Sequence, residues 1–222
     1  MGTIVATGAF AEDDMAGTDH PWSGLYAGVH AGLGFASFDG IFDGADSVDR
    51  QDDLGATGFM GLPFGGQVGY DFAVNGLVLG VVGDFGTVLG SGDTASATND
   101  GVLETSYNWV ASARARVGKP MGDFMPYVTV GIARASVTVS HEFILFDDPS
   151  LNGSKNITDS GTVFGAGIEW VLKDNVTLGA EALVYDFNVS DDLVDLGNDR
   201  DFGDGMTAMD LVQARVALNF RF

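Results

Sequence analysis

The chain has 222 residues, 33 of them glycine and none cysteine, with 31 Asp+Glu against 10 Lys+Arg. A net charge of -21 leaves no basic face for nucleic acid, and the absence of cysteine excludes disulfides and thiolate metal sites. Yet 45% of the residues are hydrophobic and mean hydropathy is +0.17, too apolar for an acidic disordered chain.

The chain opens with Met1 to Ala11, and Ala9-Phe10-Ala11 resembles the small-residue cleavage site of a secretory signal. No basic region precedes it. Residues 1–21 are therefore read as a signal-peptide remnant and tail, and residues 22–222 as one domain. No stretch approaches the 18 apolar residues of a membrane helix. The longest, Gly76 to Gly83, ends at Asp84.

Alternation is the dominant pattern from there on, and it predicts strands. Leu25, Ala27, Val29, Ala31, Leu33 and Phe35 oppose Tyr26, Gly28, His30, Gly32 and Gly34. Met60 to Phe72 and Leu79 to Phe85 continue the pattern, joined at Asn75-Gly76, a two-residue hairpin signal. Tyr107, Trp109, Ala111, Ala113, Ala115 and Val117 oppose Asn108, Ser112, Arg114, Arg116 and Gly118. Pro126 to Ser140 reads as a strand whose parity changes between Val128-Val130-Ile132 and Ala135-Val137-Val139. A bulge near Ala133 is expected to reconcile the two halves. Val163 to Trp170 and Val176 to Tyr185 follow. In the last strand Val212, Ala214, Val216, Leu218, Phe220 and Phe222 oppose Gln213, Arg215, Ala217, Asn219 and Arg221.

Eight strands therefore alternate between short turns and long connections, the latter near Ser37–Gly58, Gly90–Ser106, His141–Gly161 and Asn188–Asp210. This predicts an all-β fold: an eight-stranded antiparallel up-and-down transmembrane barrel with short periplasmic turns and four long acidic outer loops. An even strand number places both termini in the periplasm. One face of each strand is aliphatic and aromatic, as lipid requires of a closed barrel. The other is glycine, amide and paired charge, which suits a narrow lumen. A soluble sandwich or lipocalin-like barrel would put the apolar face inside instead. Two aromatic girdles are expected: Trp22, Phe72, Phe124, Tyr127, Trp170 and Phe222 at one rim, and Phe35, Tyr107, Trp109, Phe164 and Phe187 at the other.

The charges separate along the same map. Strands and short turns hold Asp71, Asp84, Asp123, Glu169, Asp174, Glu181 and Asp186 against Arg114, Arg116, Lys119, Arg134, Lys173, Arg215 and Arg221, which cancel. The excess acid falls on the tail and loops. Asp71, Asp84, Glu169, Glu181, Arg114, Arg116, Arg215 and Arg221 are expected to form an ion-pair network plugging the lumen. An unpaired buried charge there would cost several kcal/mol, and eight strands enclose a space that side chains can fill.

Seven blocks carry a resemblance: Trp22-Ser-Gly-Leu-Tyr-Ala-Gly, Gly65-Gly-Gln-Val-Gly-Tyr-Asp, Gly80-Val-Val-Gly-Asp84, Ala113-Arg-Ala-Arg-Val-Gly118, Pro126-Tyr-Val-Thr-Val-Gly131, Gly165-Ala-Gly-Ile-Glu-Trp170 and Asp174-Asn-Val-Thr-Leu. The chain resembles the small porin-family, Opa-like immunogenic outer-membrane proteins of alphaproteobacteria. The terminal Phe222, with Val212, Ala214, Val216, Leu218 and Phe220 before it, resembles the signal read by the outer-membrane insertion machinery. The resemblance implies placement in the cell outer membrane and a structural or surface-contact role, with no catalytic residues, cofactor or second domain. It departs from the family at Val82, where a carboxylate is common, and at Arg134, where an aromatic is.

Three functions are weighed. The first is a non-enzymatic envelope-integrity role with a plugged lumen. The second is a surface binding protein or adhesin acting through acidic loops, its partner unknown. The third is a narrow ion-selective channel. Ser140-His141-Glu142 carries nucleophile, base and acid types, but adjacent strand residues diverge. No specific metal site is expected. The acidic loops, densest at Asn198 to Gly205, are expected to gather Ca²⁺ or Mg²⁺ diffusely and so to bridge to lipopolysaccharide beside outer-membrane lipid.

Overall fold

A computed structural model describes residues 22–43, 51–95, 101–143, 153–187 and 205–222. Nine strands span them: β1 (Gly24–Asp43), β2 (Gln51–Val74), β3 (Leu77–Leu89), β4 (Ser91–Ala95), β5 (Gly101–Gly118), β6 (Phe124–Phe143), β7 (Gly153–Lys173), β8 (Val176–Phe187) and β9 (Gly205–Arg221). β3 and β4 both pair antiparallel with β5 and are parted only at Gly90, whose φ of 140° suits glycine. They form one barrel strand, so the barrel has the eight strands expected. Every neighbour is antiparallel, and β1 pairs with β9 from Tyr26↔Arg221 onward. That pairing and β3–β5 close the sheet on itself. Closure leaves no open backbone edge, the condition for crossing lipid. The signal-peptide remnant and tail expected at residues 1–21 lie outside the described residues, as do 44–50, 96–100, 144–152 and 188–204.

The outer face is apolar. Val29, Met60, Val81, Phe85, Val128, Val130 and Ile132 are each more than half exposed. A soluble barrel would bury them. The opposite parity is buried: Tyr26, His30, Asp71, Val78, Asp84, Arg114, Arg116, Glu169, Arg215 and Arg221 face inward. Glycines on the inward parity make room for this interior. A side chain on Gly69 would enter the Tyr26 ring, and one on Gly80 would meet the Asp71 carboxylate. Asn75 and Gly76, with φ of 50° and 74°, turn β2 into β3 as a two-residue hairpin requires.

The structure corrects the expectations in three places. First, there is no bulge near Ala133. β6 pairs with β7 without a shift from Phe124↔Trp170 to His141↔Gly153. Val128, Val130 and Ile132 face outward, while Ala135 and Val137 face inward. Both faces of β6 are apolar because the interior at this end is apolar too. The irregularity lies on β5 instead, between Tyr107 and Trp109.

Second, the girdles lose four members. Trp22, Tyr107, Tyr127 and Phe187 are buried inside the barrel, at 0%, 5%, 8% and 1% exposure. Phe72, Phe124, Trp170 and Phe222 face outward at the short-turn end, and Phe35, Trp109 and Phe164 toward the other.

Third, strand pairing runs well into the long connections. β1 and β2 stay paired to Asp43↔Gln51, and β6 and β7 to His141↔Gly153. Backbone pairing needs no alternation of side chains, so these extensions leave no period of two in the sequence.

Candidate functional site

The lumen is built in layers. At the short-turn end Trp22, Val78 and Met125 are fully buried and pack with Val171. The indole N–H of Trp22 donates to the carbonyl of Gly122 at 3.4 Å, so the segment leading into β1 is held across the barrel mouth.

The first charged layer lies above this lid. Arg116 donates from Nε to Asp71 Oδ1 at 2.8 Å and from Nη1 to Glu169 Oε2 at 2.9 Å, and its Nη2 closes a second, short contact with Asp71. Arg221 donates from Nη2 to Asp71 Oδ2 at 2.9 Å and to Glu169 Oε1 at 3.0 Å. Two carboxylates and two guanidiniums thus alternate around a ring. Thr177 and Asn219 add donors to Glu169. The Tyr26 ring lies 4.8 Å from the Arg116 guanidinium and 5.0 Å from that of Arg221. The Trp22 ring sits 5.7 Å from Arg221. These are cation–π distances.

A second ring follows. Arg114 lies two residues along β5 from Arg116, and so on the same face. It donates to Asp84 Oδ2 at 3.2 Å and to Glu181 Oε2 at 3.1 Å. Arg215 donates to Glu181 Oε1 at 2.6 Å and to Asp84 Oδ1 at 3.0 Å. Ser112 donates a short bond to Asp84 and accepts from Arg114 Nε at 3.1 Å. The buried His30 has Nε2 3.3 Å from Arg215 Nη1.

Beyond the second ring the interior turns apolar. Tyr107, Val110, Ala135, Val137, Val163, Leu183, Tyr185, Phe187 and Leu211 form one buried cluster. Tyr185 and Phe187 stack at 6.0 Å.

All eight network residues expected from the sequence are therefore brought together, but as two rings of four rather than one network. Each ring balances its own charge, and every carboxylate meets two guanidiniums. Breaking one member of such a buried set costs about 3–5 kcal/mol. The expectation missed Trp22 and Tyr127 as lumen residues. The signal for Tyr127 was present: it shares the parity of Thr129 and Gly131, opposite to Val128 and Val130. Val82 is buried in the lumen at 6% exposure, where a carboxylate would need a partner. Arg134 is exposed on the outer face. Ser140 donates to Ser154 at 3.3 Å, and the His141 side chain lies outside the described residues. Among the described residues no group of three or more His, Cys, Asp or Glu is placed to hold a metal. The six residues expected to carry the insertion signal all face outward, five on β9 and Phe222 just past it, 71% exposed. Phe220 and Phe222 meet edge to face at 5.2 Å, and the Phe222 N–H donates to the Leu25 carbonyl at 2.9 Å.

Comparison with known proteins agrees with this architecture. The chain is 34% identical over 211 residues to the 31 kDa outer-membrane immunogenic protein of Brucella melitensis, covering 90% of this chain and 84% of that one. It is 34% identical over 164 residues to the 22 kDa outer membrane protein of Rhizobium leguminosarum bv. viciae, covering 73% and 70%. The crystal structure of Neisserial surface protein A shares the fold, with a TM-score of 0.50 at 14% identity over 90% of this chain and 98% of that one. The family model described as an outer membrane protein beta-barrel domain matches residues 2–222, and the chain belongs to that family of bacterial outer-membrane β-barrel proteins.

Proposed function

We propose that the protein is a non-enzymatic structural element of the outer membrane, with a plugged lumen and both termini in the periplasm. One observation carries this reading: among the described residues, side chains occupy the interior in successive layers. The Trp22 lid, two balanced ion-pair rings and the apolar cluster follow one another along the axis. An ion crossing this path must part guanidiniums from carboxylates in a poorly hydrated space, where the separated charges are costly. The wall meanwhile offers lipid a continuous apolar band.

Planar-bilayer recordings of the refolded protein test the plug. No large, stable opening is expected; a stable large conductance would replace this reading with a channel. A deletion strain supplies the cellular arm. Increased leakage of periplasmic protein and sensitivity to detergent are expected, and an unchanged envelope would count against the role.

One observation favours a second reading, a surface binding protein. The lumen acids and arginines cancel, so the net charge of -21 lies elsewhere on the molecule. Such a surface gathers divalent cations diffusely and presents them to a partner. Shortening residues 44–50 and 188–204 separates the two readings: lost adhesion with an intact envelope favours binding.

A further inference from the structure

The outer face of β5, β6 and β7 carries a feature that the barrel itself does not need. The register shift between Tyr107 and Trp109 keeps Tyr107 inside and puts both Asn108 and Trp109 outside. Asn108 Nδ2 donates to Thr138 Oγ1 at 2.9 Å, and Thr138 Oγ1 donates to Asn156 Oδ1 at 2.6 Å. Ser136 lies 3.4 Å from Asn108 Nδ2 and pairs across from Trp109. Three strands thus present an ordered row of amides and hydroxyls. Bulges recur where a side chain must be re-aimed.

This row begins where the apolar band stops. Ile132 is 69% exposed and faces lipid. Arg134, two residues on and on the same face, is the next outward side chain of β6. Among the described residues it is the only base on the outer face at this end, and it makes no ion pair with any of them. Trp109 stacks on the exposed Phe85 at 6.0 Å, marking the same interface. On β8 and β9 the corresponding edge carries the exposed acids Asp186 and Asp210, which pair across from each other.

We infer that this face binds one phosphorylated glycolipid of the outer leaflet, of the lipopolysaccharide type. Arg134 meets a phosphate at the top of the acyl region, as a guanidinium does with charge-assisted hydrogen bonds. Asn108, Thr138 and Asn156 meet sugar hydroxyls above it, already ordered and so losing little entropy on binding. Trp109 lies at the junction of chain and sugar, the usual place for an amphipathic ring. The acids on β8 and β9 repel phosphate, so the site is confined to one side of the barrel. The inference rests on the outer-membrane reading but not on the plug.

Native mass spectrometry of the full chain refolded in detergent tests it. The probes are bisphosphorylated lipid A, monophosphoryl lipid A and a lipopolysaccharide with core sugars. The wild type is expected to hold bisphosphorylated lipid A better than the monophosphoryl form. Arg134→Gln is expected to lose roughly ten-fold in affinity, the scale of one charged contact, and Arg134→Lys to lose less. Asn108→Ala combined with Thr138→Ala should leave lipid A binding unchanged and abolish the gain from core sugars. Equal binding by wild type and Arg134→Gln overturns the proposal, as does wild type that holds no lipid. Displacement of lipid by a soluble sulfated oligosaccharide would overturn it in favour of a polyanion outside the membrane. Arg134 is exposed, and the heat-dependent gel mobility of each variant reports whether it folded. Failure here leaves the conductance result untouched, so the two readings fall separately.

Discussion

Tyr127 donates its hydroxyl to Glu181 at 3.0 Å while its ring lies 5.2 Å from the Arg116 guanidinium. One side chain therefore ties the two charged rings together, hydrogen-bonded to the upper and stacked on the lower. Tyr127→Phe removes the bond but keeps the ring. A loss of about 1–2 kcal/mol is expected, since Glu181 keeps both arginines. Tyr127→Ala also removes the packing and is expected to cost about 3–5 kcal/mol. Urea unfolding in detergent, followed by tryptophan fluorescence, measures both. Equal losses would show that the ring contributes nothing.

The ring arrangement makes a stronger prediction about charge. Asp71→Ala leaves Arg116 and Arg221 sharing Glu169 in a buried layer. A loss of about 3–5 kcal/mol is expected. Replacing all four members of that ring with apolar residues of matched volume should cost less than the single change. The temperature at which the heat-dependent gel shift occurs ranks the variants. A quadruple variant weaker than Asp71→Ala would refute the argument.

Glycine supplies a steric test. A Cβ on Gly131 would lie 2.6 Å from Arg114 Cα, against backbone that cannot swing aside. Gly131→Ala is expected to lower stability by about 1–3 kcal/mol and to reduce refolding yield. On the outer face a Cβ on Gly66 meets nothing nearer than the Gly28 carbonyl oxygen at 3.6 Å. Gly66→Ala should refold like the wild type. The same refolding assay reads both, and equal yields would remove the steric explanation.

The chain end gives a cellular prediction. The Phe222 side chain is exposed and meets the Phe220 ring edge to face, while its backbone N–H bonds to β1 at Leu25. Phe222→Ala is expected to leave the unfolding free energy of the refolded barrel within about 0.5 kcal/mol of the wild type while lowering assembled protein in the cell. Cell fractionation with the unboiled gel measures the second quantity. Equal assembly would show that Phe222 is no insertion signal.

Where the chain faces lipid on one side and charge on the other, the sequence was readable almost residue by residue. β9 is the clearest case: each of Gln213, Arg215, Asn219 and Arg221 is buried, as its parity requires. Legibility fails where both sides are apolar. The interior next to the outer connections holds Tyr107, Val137, Tyr185 and Phe187, so alternation no longer separates lipid from core. That is why the bulge belongs at Asn108 and not at Ala133, and why Tyr107 and Phe187 are expected on a rim that they do not occupy. The connections were too long in the reading for another reason. Backbone pairing such as Ile41↔Asp53 joins residues that show no alternation, and so it leaves no mark in hydropathy. The eight lumen charges could be named from the strands, but their division into two rings depends on the stagger between strands, which spacing alone does not encode.

β9 contributes one arginine to each ring, Arg221 to the first and Arg215 to the second. Without that strand each ring holds two carboxylates and a single guanidinium. The half-built interior therefore carries an uncompensated negative charge at two depths, and water must stay to solvate it. The strand that closes the barrel against β1 is thus also the strand that balances the charge of both rings.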